Sequence, residues 1–312
     1  MPLLIPTAVA TPPPVIDEPV VIGPIFDTRP ARYSWIDPTG TEWMLDVPSQ
    51  GWVMPRGRVG LGAAPVELVT DPHPRGGARV RHIQPQPRTI TLPLEIWGES
   101  PLGFVQRWRD LMRAFTCTRR LGPGTFRKML PDGEVRQIQA YYDGGFDGEP
   151  GRGHISDTAV LSLFCEDPYW SGPAVVAAPF TNSAPVSYLS PYMTVSSSSV
   201  LGATTATNAG DVEAWPSWSI VGPATAVTAT NSTTGDAFTM TATLTAGQTA
   251  TITTDPPTVR GPAGENWTNK LNWPGARLWG LEPGVNNITF SATGASAATS
   301  ITLSYTPRYE SA

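Results

Sequence analysis

Histidines and acidic side chains are the groups in this sequence that could carry acid–base or metal chemistry. The three histidines, His73, His82 and His154, stand in loop-like contexts with no carboxylate or cysteine at a ligand spacing. None fits the H-E-x-x-H pattern, which places two imidazoles and a general base on one helix face. We therefore interpret all three as surface side chains, and we expect no metal ion and no other cofactor.

The acidic residues of a glycine-rich stretch, residues 143–153, come nearest to a cation site. Asp143, Asp147 and Glu149 carry the oxygen ligands that calcium prefers, but their spacing lacks the alternation of a calcium-binding loop. A solvated turn is the favoured interpretation. The sequence also has no G-x-S-x-G elbow, no phosphate-binding loop and no local signature of paired glycosidase carboxylates. We predict no catalytic residue and do not expect an enzyme.

Tryptophans in the second half of the chain allow two interpretations. These residues are Trp215, Trp218, Trp267, Trp273 and Trp279. Exposed aromatic rings on a β-sandwich can act as platforms for sugars, whereas inward-facing rings build the core. The run from Trp215 to Trp218 leads into Ile220, which suits a strand that packs inward. Burial in a core or interface is favoured, and a sugar platform remains the alternative.

Charge is unevenly spread along the 312 residues, although the net value is only −5. Four of the 21 Lys and Arg residues and seven of the 26 Asp and Glu residues lie after Pro173. No basic block is present to grip nucleic acid, no apolar run is long enough to span a membrane, and the N-terminus lacks the positive region of a secretory signal. Eleven tryptophans exclude a disordered chain. Cys117 and Cys165 are predicted to be buried free thiols.

The change in composition occurs at the segment C-E-D-P-Y-W, residues 165–170, and predicts a boundary between two domains. The aromatic pair Tyr169 and Trp170 is interpreted as an anchor between them. We predict a proline-rich N-terminal arm at 1–28, a first domain at 29–173 and a second domain at 174–312. The arm is expected to be extended, with its end docked on this chain or on a neighbour.

One helix is predicted in the first domain. Ser100 is a favourable N-cap and Pro101 suits the first helical position. The apolar residues that follow recur at helical spacing and predict a face packed on a sheet: Phe104, Trp108, Leu111, Met112 and Phe115.

Strands are predicted on both sides of that helix, at 33–36, 41–45, 88–97, 125–130, 134–142 and 158–166. Pro93 cannot donate a ladder hydrogen bond, which predicts an edge position or a bulge. Pro131, Asp132 and Gly133 predict a tight turn between two of the strands.

The second half shows only strand-like alternation, with threonines at the outward positions. Its apolar residues recur every second position, as in Ile301, Leu303 and Tyr305, and turn signals separate the runs. These patterns predict an antiparallel β-sandwich, so the whole chain is expected to be mainly β with one packed helix.

Taken in order, several segments resemble the distal tail proteins of long-tailed bacteriophages, the siphophage tail-component family. In the first domain these segments are residues 96–98, 104–115, 124–136, 141–145 and 161–170. In the second domain they are residues 208–216, 220–223, 281–288 and 305–309. The resemblance covers about residues 30–310.

This resemblance implies a structural virion protein at the tail tip, made in the host cytoplasm. Members of the family form a ring of identical subunits, expected to be a hexamer, with the first domain as the ring-forming belt. The second domain is expected to be a galectin-like sandwich that points outward. The implied partners are further copies of the chain, the tail tube protein, a tail-tip protein and receptor-binding or side-fibre proteins. DNA would only pass through the channel, and no membrane insertion is expected.

Two other functions stay open beside this one. A carbohydrate-binding module for host-surface attachment is suggested by the sandwich and its tryptophans. A cell-wall hydrolase ranks last, because the sequence lacks a catalytic constellation. No subunit-interface residue is assigned from the sequence.

Overall fold

The computed structural model describes residues 30–148, 150, 153–176, 180–181 and 199–312. The predicted arm at 1–28 and Glu149 lie outside these residues. Antiparallel strands form two bodies, each with its own buried apolar cluster. The predicted mainly β class, with one long helix in the first body, is confirmed.

The first body begins with short strands and continues through the helix to longer ones. Its elements in chain order are β1 (Arg32–Ile36), β2 (Glu42–Met44), a 3-10 turn (Pro48–Gln50), β3 (Trp52–Val53), β4 (Val66–Pro72), β5 (Ala78–Pro85), β6 (Arg88–Trp97), α1 (Pro101–Thr116), α2 (Thr118–Leu121), β7 (Gly124–Met129), β8 (Val135–Gly144), β9 (Ser156–Cys165) and β10 (Trp170–Ser171).

The second body follows without a long helix in the part of the chain that the structure describes. Its elements are β11 (Val175–Val176), β12 (Phe180–Thr181), β13 (Ser199–Asn208), β14 (Ser217–Val221), β15 (Ala224–Asn231), β16 (Asp236–Leu244), β17 (Thr249–Thr254), β18 (Pro257–Arg260), a 3-10 turn (Thr268–Lys270), β19 (Gly284–Thr293) and β20 (Ser300–Tyr305). The chain then forms β21 (Arg308–Tyr309), which pairs with β10 of the first body.

Helix α1 begins and packs as its sequence predicts. The Ser100 hydroxyl accepts a hydrogen bond from the Gly103 N–H at 3.1 Å, which satisfies one of the free donors of the first turn. Four residues of the predicted face are fully buried, namely Phe104, Trp108, Leu111 and Phe115, whereas Met112 is only half-buried. Trp35 of β1 stacks on Phe115 with ring centroids 4.7 Å apart, so the helix is held against the sheet by aromatic contact. Neither α1 nor α2, the helices of the described ranges, is long and apolar enough to cross a membrane.

The main sheet of the first body has the strand order β2-β1-β7-β8-β9-β6-β3, with β10 on β8 and β21 on β10. Strand β6 pairs with β9 along its whole length in unbroken register, and Pro93 lies opposite Val160. The bulge alternative is therefore wrong. The edge alternative holds locally, because the outer strand β3 pairs only with Glu95 and Ile96 and leaves the outer side of Pro93 unpaired with any described strand. Thr91 exchanges hydrogen bonds of 3.0 Å with Val59 on the outer side, and Pro93 faces that same side by alternation. The missing N–H consequently removes no bond to β9.

The predicted turn between β7 and β8 is confirmed. The Leu130 N–H donates to the Glu134 carbonyl at 2.8 Å, and the Gly133 N–H donates back to the Leu130 carbonyl at 3.0 Å. Gly133 has a φ of 94°, a left-handed conformation that favours glycine.

The second body is a sandwich of two antiparallel sheets. One has the order β11-β20-β14-β17-β18, with β12 also on β20, and the other has the order β13-β19-β15-β16. Trp218 lies at its centre, with Phe238 and Phe290 edge-on at centroid distances of 5.5 and 5.4 Å. Ile301 and Leu303 of β20 point into this core, as the alternation predicts, because a pleated strand sends every second side chain to the same face.

Candidate assembly surfaces

Strands β4 and β5 form a two-stranded ribbon, residues 66–85, that pairs with no other described strand. The chain enters it at Pro65 and leaves it at Gln86, whose N–H donates to the Pro65 carbonyl at 2.8 Å. Every residue of the two strands is exposed except Asp71, which is half-buried. A two-stranded ribbon by itself is marginally stable in water. The ribbon is therefore an element that lacks a covering surface within the described chain.

The two faces of the ribbon differ in character. Directly opposed residues share a face in an antiparallel pair, and Leu68 lies opposite Ile83. One face consists of Val66, Leu68, Thr70, Pro72, Ala78, Val80, Ile83 and Pro85. The reverse face consists of Glu67, Val69, Asp71, Arg79, His82 and Gln84. The ribbon is amphipathic, with one almost wholly apolar side.

A bulge at Arg81 keeps the two faces separate along the ribbon. The register shifts between the Val69–His82 pair and the Thr70–Val80 pair, so Arg81 is the extra residue of β5. Its guanidinium pairs with the Asp71 carboxylate at 2.8 Å on the polar face. The bulge thus returns Val80 to the apolar face.

The apolar face of the ribbon has the properties of a protein contact surface. Leu68 is 53% exposed and Ile83 is 55% exposed. Contiguous apolar side chains on an exposed ribbon favour association with another protein, because water contact with them is unfavourable. This face is the candidate assembly surface.

A second structural feature is the joint at which the end of the chain returns to the first body. Trp170 of β10 lies opposite Tyr309 of β21, and the Gly172 N–H donates to the Pro307 carbonyl at 2.9 Å. Trp170 is fully buried and lies 6.0 Å from the Phe126 ring. Residues 307–312 therefore complete the sheet of the first body, and Trp170 is the anchor at this point.

Arg88 ties three segments together beneath the joint. Its side chain is 1% exposed and donates to the carbonyl oxygens of Pro168, Gly60, Gly62 and Glu310 at 2.6–2.8 Å. Burial lowers the pKa of Arg88, but a guanidinium stays charged in proteins, and four carbonyl dipoles compensate for its lost water. The buried Arg88 side chain consequently anchors the C-terminal segment through its hydrogen bond to the Glu310 carbonyl.

Arg308 fastens the outside of the same joint. Its guanidinium donates to both oxygens of Asp167 at 2.8 and 2.9 Å, and it lies 4.6 Å from the centre of the Tyr169 ring. Further along, the Ala312 N–H donates to the Leu61 carbonyl at 2.9 Å. The joint is therefore held by the Arg308–Asp167 ion pair at the surface and by the buried guanidinium of Arg88 in the interior.

Two of the segments that carry the family resemblance meet in the second body. Ala214 and Leu281 exchange backbone hydrogen bonds of 2.9 and 2.8 Å. The Asn208 side chain donates to the Val212 and Leu281 carbonyls at 2.9 Å each. Residues 208–216 and 281–288 thus form one hydrogen-bonded unit at the entrance to the sandwich.

The histidines do not converge on a site. All three are exposed: His73 lies in the turn of the ribbon, His82 on its polar face and His154 before β9. The loop-like setting predicted for His82 is wrong, because the residue belongs to β5. Among the described residues, no three His, Cys, Asp or Glu side chains gather in a way that could hold a metal ion.

The two thiols differ more than predicted. Cys165 is fully buried, and burial raises its pKa to about 12. Cys117 is only half-buried, because it lies at the C-cap of α1 rather than inside a strand, and its thiol donates to the Ala114 carbonyl at 3.2 Å. Its pKa is also raised by burial.

The tryptophans of the second body separate into three groups by exposure. Trp218 and Trp279 are in the core, and Trp215 and Trp267 are half-buried. Trp273 is 54% exposed, so the core alternative is wrong for this residue, and burial in an interface stays a prediction. It lies in the segment between β18 and β19, which runs along the outer edge of β16.

Comparisons with known proteins find a family model that matches part of the chain and a solved structure with a similar fold. A family model described as the C-terminal domain of a siphovirus-type tail component matches residues 209–309. The Dit protein of phage SPP1 (gp 19.1) has a similar structure, with a TM-score of 0.64 at 14% identity, over 90% of this chain and 99% of that chain. A structure of the phage p2 baseplate in its activated conformation matches with a TM-score of 0.49 at 14% identity, over 88% of this chain and 98% of that chain. No curated protein matches the sequence.

The chain therefore has the fold of a phage tail hub protein, since the SPP1 structure is described as a paradigm of the hub adsorption apparatus in phages that infect Gram-positive bacteria. The predicted resemblance to the siphophage tail-component family is confirmed. The family match contains nearly all of the second-domain segments on which that prediction depends, and the fold match extends over both bodies.

Proposed function

We propose that this chain is a structural protein of the phage virion, the distal tail hub, which assembles into a ring at the tail tip. The observation that carries the proposal is the ribbon 66–85, whose apolar face is exposed on the single chain. The family match at 209–309 and the fold shared with SPP1 Dit support the same role. The role is mechanical and requires no catalytic residue.

The two bodies would divide this work. Residues 29–173 form the ring-forming belt domain, and residues 174–312 form the galectin-like sandwich that points outward, except that residues 307–312 return to the belt. The belt includes the C-terminal segment as its last strand, because β21 pairs with β10. Arg88 and Arg308 hold that segment, so the sandwich leaves and re-enters the belt at neighbouring points. This double connection would limit how far the sandwich can swing.

The ribbon would supply the contact between neighbouring copies. An apolar surface on one copy that meets a different surface on the next makes a heterologous contact, and repetition of such a contact closes a ring when the rotation allows it. We propose six copies around a channel for the genome. The tail tube protein would bind one side of the ring and the tail-tip protein the other, with receptor-binding or side-fibre proteins outside.

Two neighbouring residues of β4 give a matched test, because they lie on opposite faces of the ribbon. Leu68→Glu places a charge on the apolar face, and Val69→Glu places the same charge on the polar face. The full chain and both variants would be compared by mass photometry and negative-stain electron microscopy. We expect rings for the parent chain and for Val69→Glu, and single chains for Leu68→Glu, since an unpaired charge is costly in an apolar interface.

A strictly monomeric parent chain at all concentrations would contradict the proposal. If both variants lose rings equally, the apolar face is not the specific contact. The ribbon would then only be intolerant of an added charge on either face. Co-expression with the tail tube and tail-tip proteins of the same phage, followed by imaging of the complexes, tests the stacking order separately.

A further inference from the structure

Trp273 presents an aromatic ring on the surface of the sandwich. Its side chain is 54% exposed, and its indole N–H donates to the Thr268 carbonyl at 2.8 Å. The polar group of the side chain is thus satisfied within the chain, and the hydrogen bond fixes the ring. An exposed indole with a fixed orientation offers its apolar faces to a ligand.

A cleft of about 470 Å³ lies on one side of this ring. Trp279 belongs to its wall and is also part of the core, where it meets Trp218 edge-on with centroids 4.7 Å apart. Trp215 lines the same cleft and is half-buried. Part of the cleft wall is therefore held in place by the core, as in preformed ligand sites.

Charged groups line the cleft beside the tryptophans. They are Glu213, Asp236, Glu282 and Arg277. The Glu213 carboxylate accepts a hydrogen bond from the Gly280 N–H, and a Cβ at Gly280 would collide with that carboxylate. Burial, and then the charge of Glu282, raise the pKa of Glu213. Three carboxylates against one guanidinium make the cleft unfavourable for an anionic ligand.

A second cleft, of about 400 Å³, is also lined by Trp273. Its remaining wall consists of Asn266, Thr268 and Asn269, all exposed. The indole therefore belongs to both clefts, and the surface of the second cleft is mostly apolar. A ligand that suits both has a flat apolar face for the ring and many hydroxyl groups for the surrounding acceptors and donors.

Strand addition by a peptide is disfavoured at this place. The outer edge of β16 is occupied by the segment that carries Trp273: the Asn272 N–H donates to the Thr239 carbonyl at 3.0 Å, and the Arg277 N–H donates to the Ala237 carbonyl at 2.9 Å. The backbone groups of β16 at Ala237 and Thr239 are therefore already paired and are not free for a peptide strand.

We propose that the two clefts around Trp273 bind an uncharged glycan. Pyranose rings would stack their C–H faces on the indole, and their hydroxyl groups would donate to Glu282 and Asp236 and accept from Arg277. The proposal goes beyond the ring-forming function and does not rest on it, because the clefts lie in the sandwich and the ribbon lies in the first body.

The test uses the full chain and defined oligosaccharides. Tetrasaccharides of glucose, galactose and N-acetylglucosamine are titrated by calorimetry and tryptophan fluorescence, with tetragalacturonate as the anionic control. We expect at least one neutral tetrasaccharide to bind, and Trp273→Ala to weaken that binding by about tenfold or more. Glu282→Gln should weaken it by about threefold, because an amide is a poorer acceptor than a carboxylate. Val285→Ala removes part of an exposed apolar side chain that lines neither cleft and should leave binding unchanged.

Three results would overturn the proposal: no neutral tetrasaccharide binds at millimolar concentration, tetragalacturonate binds as well as the neutral ligands, or Trp273→Ala binds like the parent chain. If Trp273→Ala abolishes binding of the tail-tip protein while no oligosaccharide binds, the surface is a protein-docking site instead. Ring formation, imaged on the same samples, should persist in Trp273→Ala. Glycan binding should persist in Leu68→Glu, so failure of one proposal leaves the other intact.

Discussion

The ribbon strand β4 and the sandwich strand β20 have the same alternation of apolar and polar residues, but only one of them is covered. In β20, Leu303 is fully buried in the sandwich core. In β4, Leu68 is 53% exposed, and its neighbours on the same face are exposed as well. The same sequence pattern thus has two outcomes, because β20 has a second sheet above it and β4 does not.

This difference shows which apolar surfaces are buried within the single chain and which are not. The sandwich buries its apolar rows against one another, so its stability is a property of the single chain. The ribbon exposes a comparable row, whose burial requires a surface from outside the described residues. Stability and assembly are therefore expected to depend on different residues.

The largest effect is expected in the covered row. Leu303→Ala removes a fully buried side chain and leaves a cavity, so the free energy of unfolding should fall by about 4 kcal/mol. Urea denaturation of the full chain measures it. If the free energy of unfolding falls by less than about 1 kcal/mol, the sandwich core refills the cavity by repacking. Buried Leu303 and exposed Leu68 would then no longer differ in their contribution to stability.

The joint provides the second effect. Arg88→Leu leaves the carbonyls of Pro168 and Glu310 without their buried donor, and we expect the free energy of unfolding to fall by about 3 kcal/mol. Arg113→Leu is the control, because Arg113 is exposed and forms a surface ion pair with Asp110. Equal effects of the two substitutions in urea denaturation would mean that Arg88 does not hold the C-terminal segment.

A third, smaller effect concerns the two thiols and pH. The folded Cys165 thiol, with a pKa raised to about 12, keeps its proton where the unfolded thiol loses it near pH 9.0. The free energy of unfolding should therefore fall as pH rises from 9 towards 12, by at most about 1.4 kcal/mol per pH unit. Urea denaturation at pH 8, 9 and 10 should show the full fall in the parent chain, a slightly shallower fall in Cys117→Ala, because the pKa of that half-buried thiol is also raised, and the shallowest fall in Cys165→Ala. An unchanged pH dependence in Cys165→Ala would contradict the assignment.

The smallest effect on folding is expected in the uncovered row. Leu68→Ala should change the free energy of unfolding of the single chain by less than about 0.5 kcal/mol, because the side chain is already in water. Dilution of assembled rings, followed by mass photometry, should nevertheless show dissociation at a higher concentration than for the parent chain. If Leu68→Ala lowers the free energy of unfolding of the single chain by much more than this, Leu68 packs against another part of the same chain. The ribbon and the sandwich would then both be covered within the single chain.

The features that the sequence predicts well are local ones. The N-cap at Ser100, the turn at Gly133 and the inward row of β20 each depend on residues within a few positions of one another. The ribbon has the same kind of signal in Val66 and Leu68, but the alternation is harder to follow in β5. The bulge at Arg81 puts Val80 and Ile83 three positions apart instead of two.

The joint could not be predicted, for a different reason. Trp170 pairs with Tyr309 across 139 residues, and nothing near either residue indicates the partner. In the sequence, Arg88 has the pattern of an exposed polar residue at the start of a strand. Its burial could not be predicted, because it depends on carbonyl groups from three distant segments. The exposure of Trp273 could not be predicted either. It depends on backbone hydrogen bonds between the segment before β19 and the edge of β16, which are distant in sequence.

The return of residues 307–312 to the first body has a consequence for synthesis. The ribosome makes the belt early and its closing strand only after the whole sandwich. A nascent or truncated chain that lacks this segment therefore has an unfinished belt, with Trp170 and the Arg88 pocket unsealed. If the chain assembles as proposed, we therefore expect such incomplete subunits to enter the ring less readily than full chains.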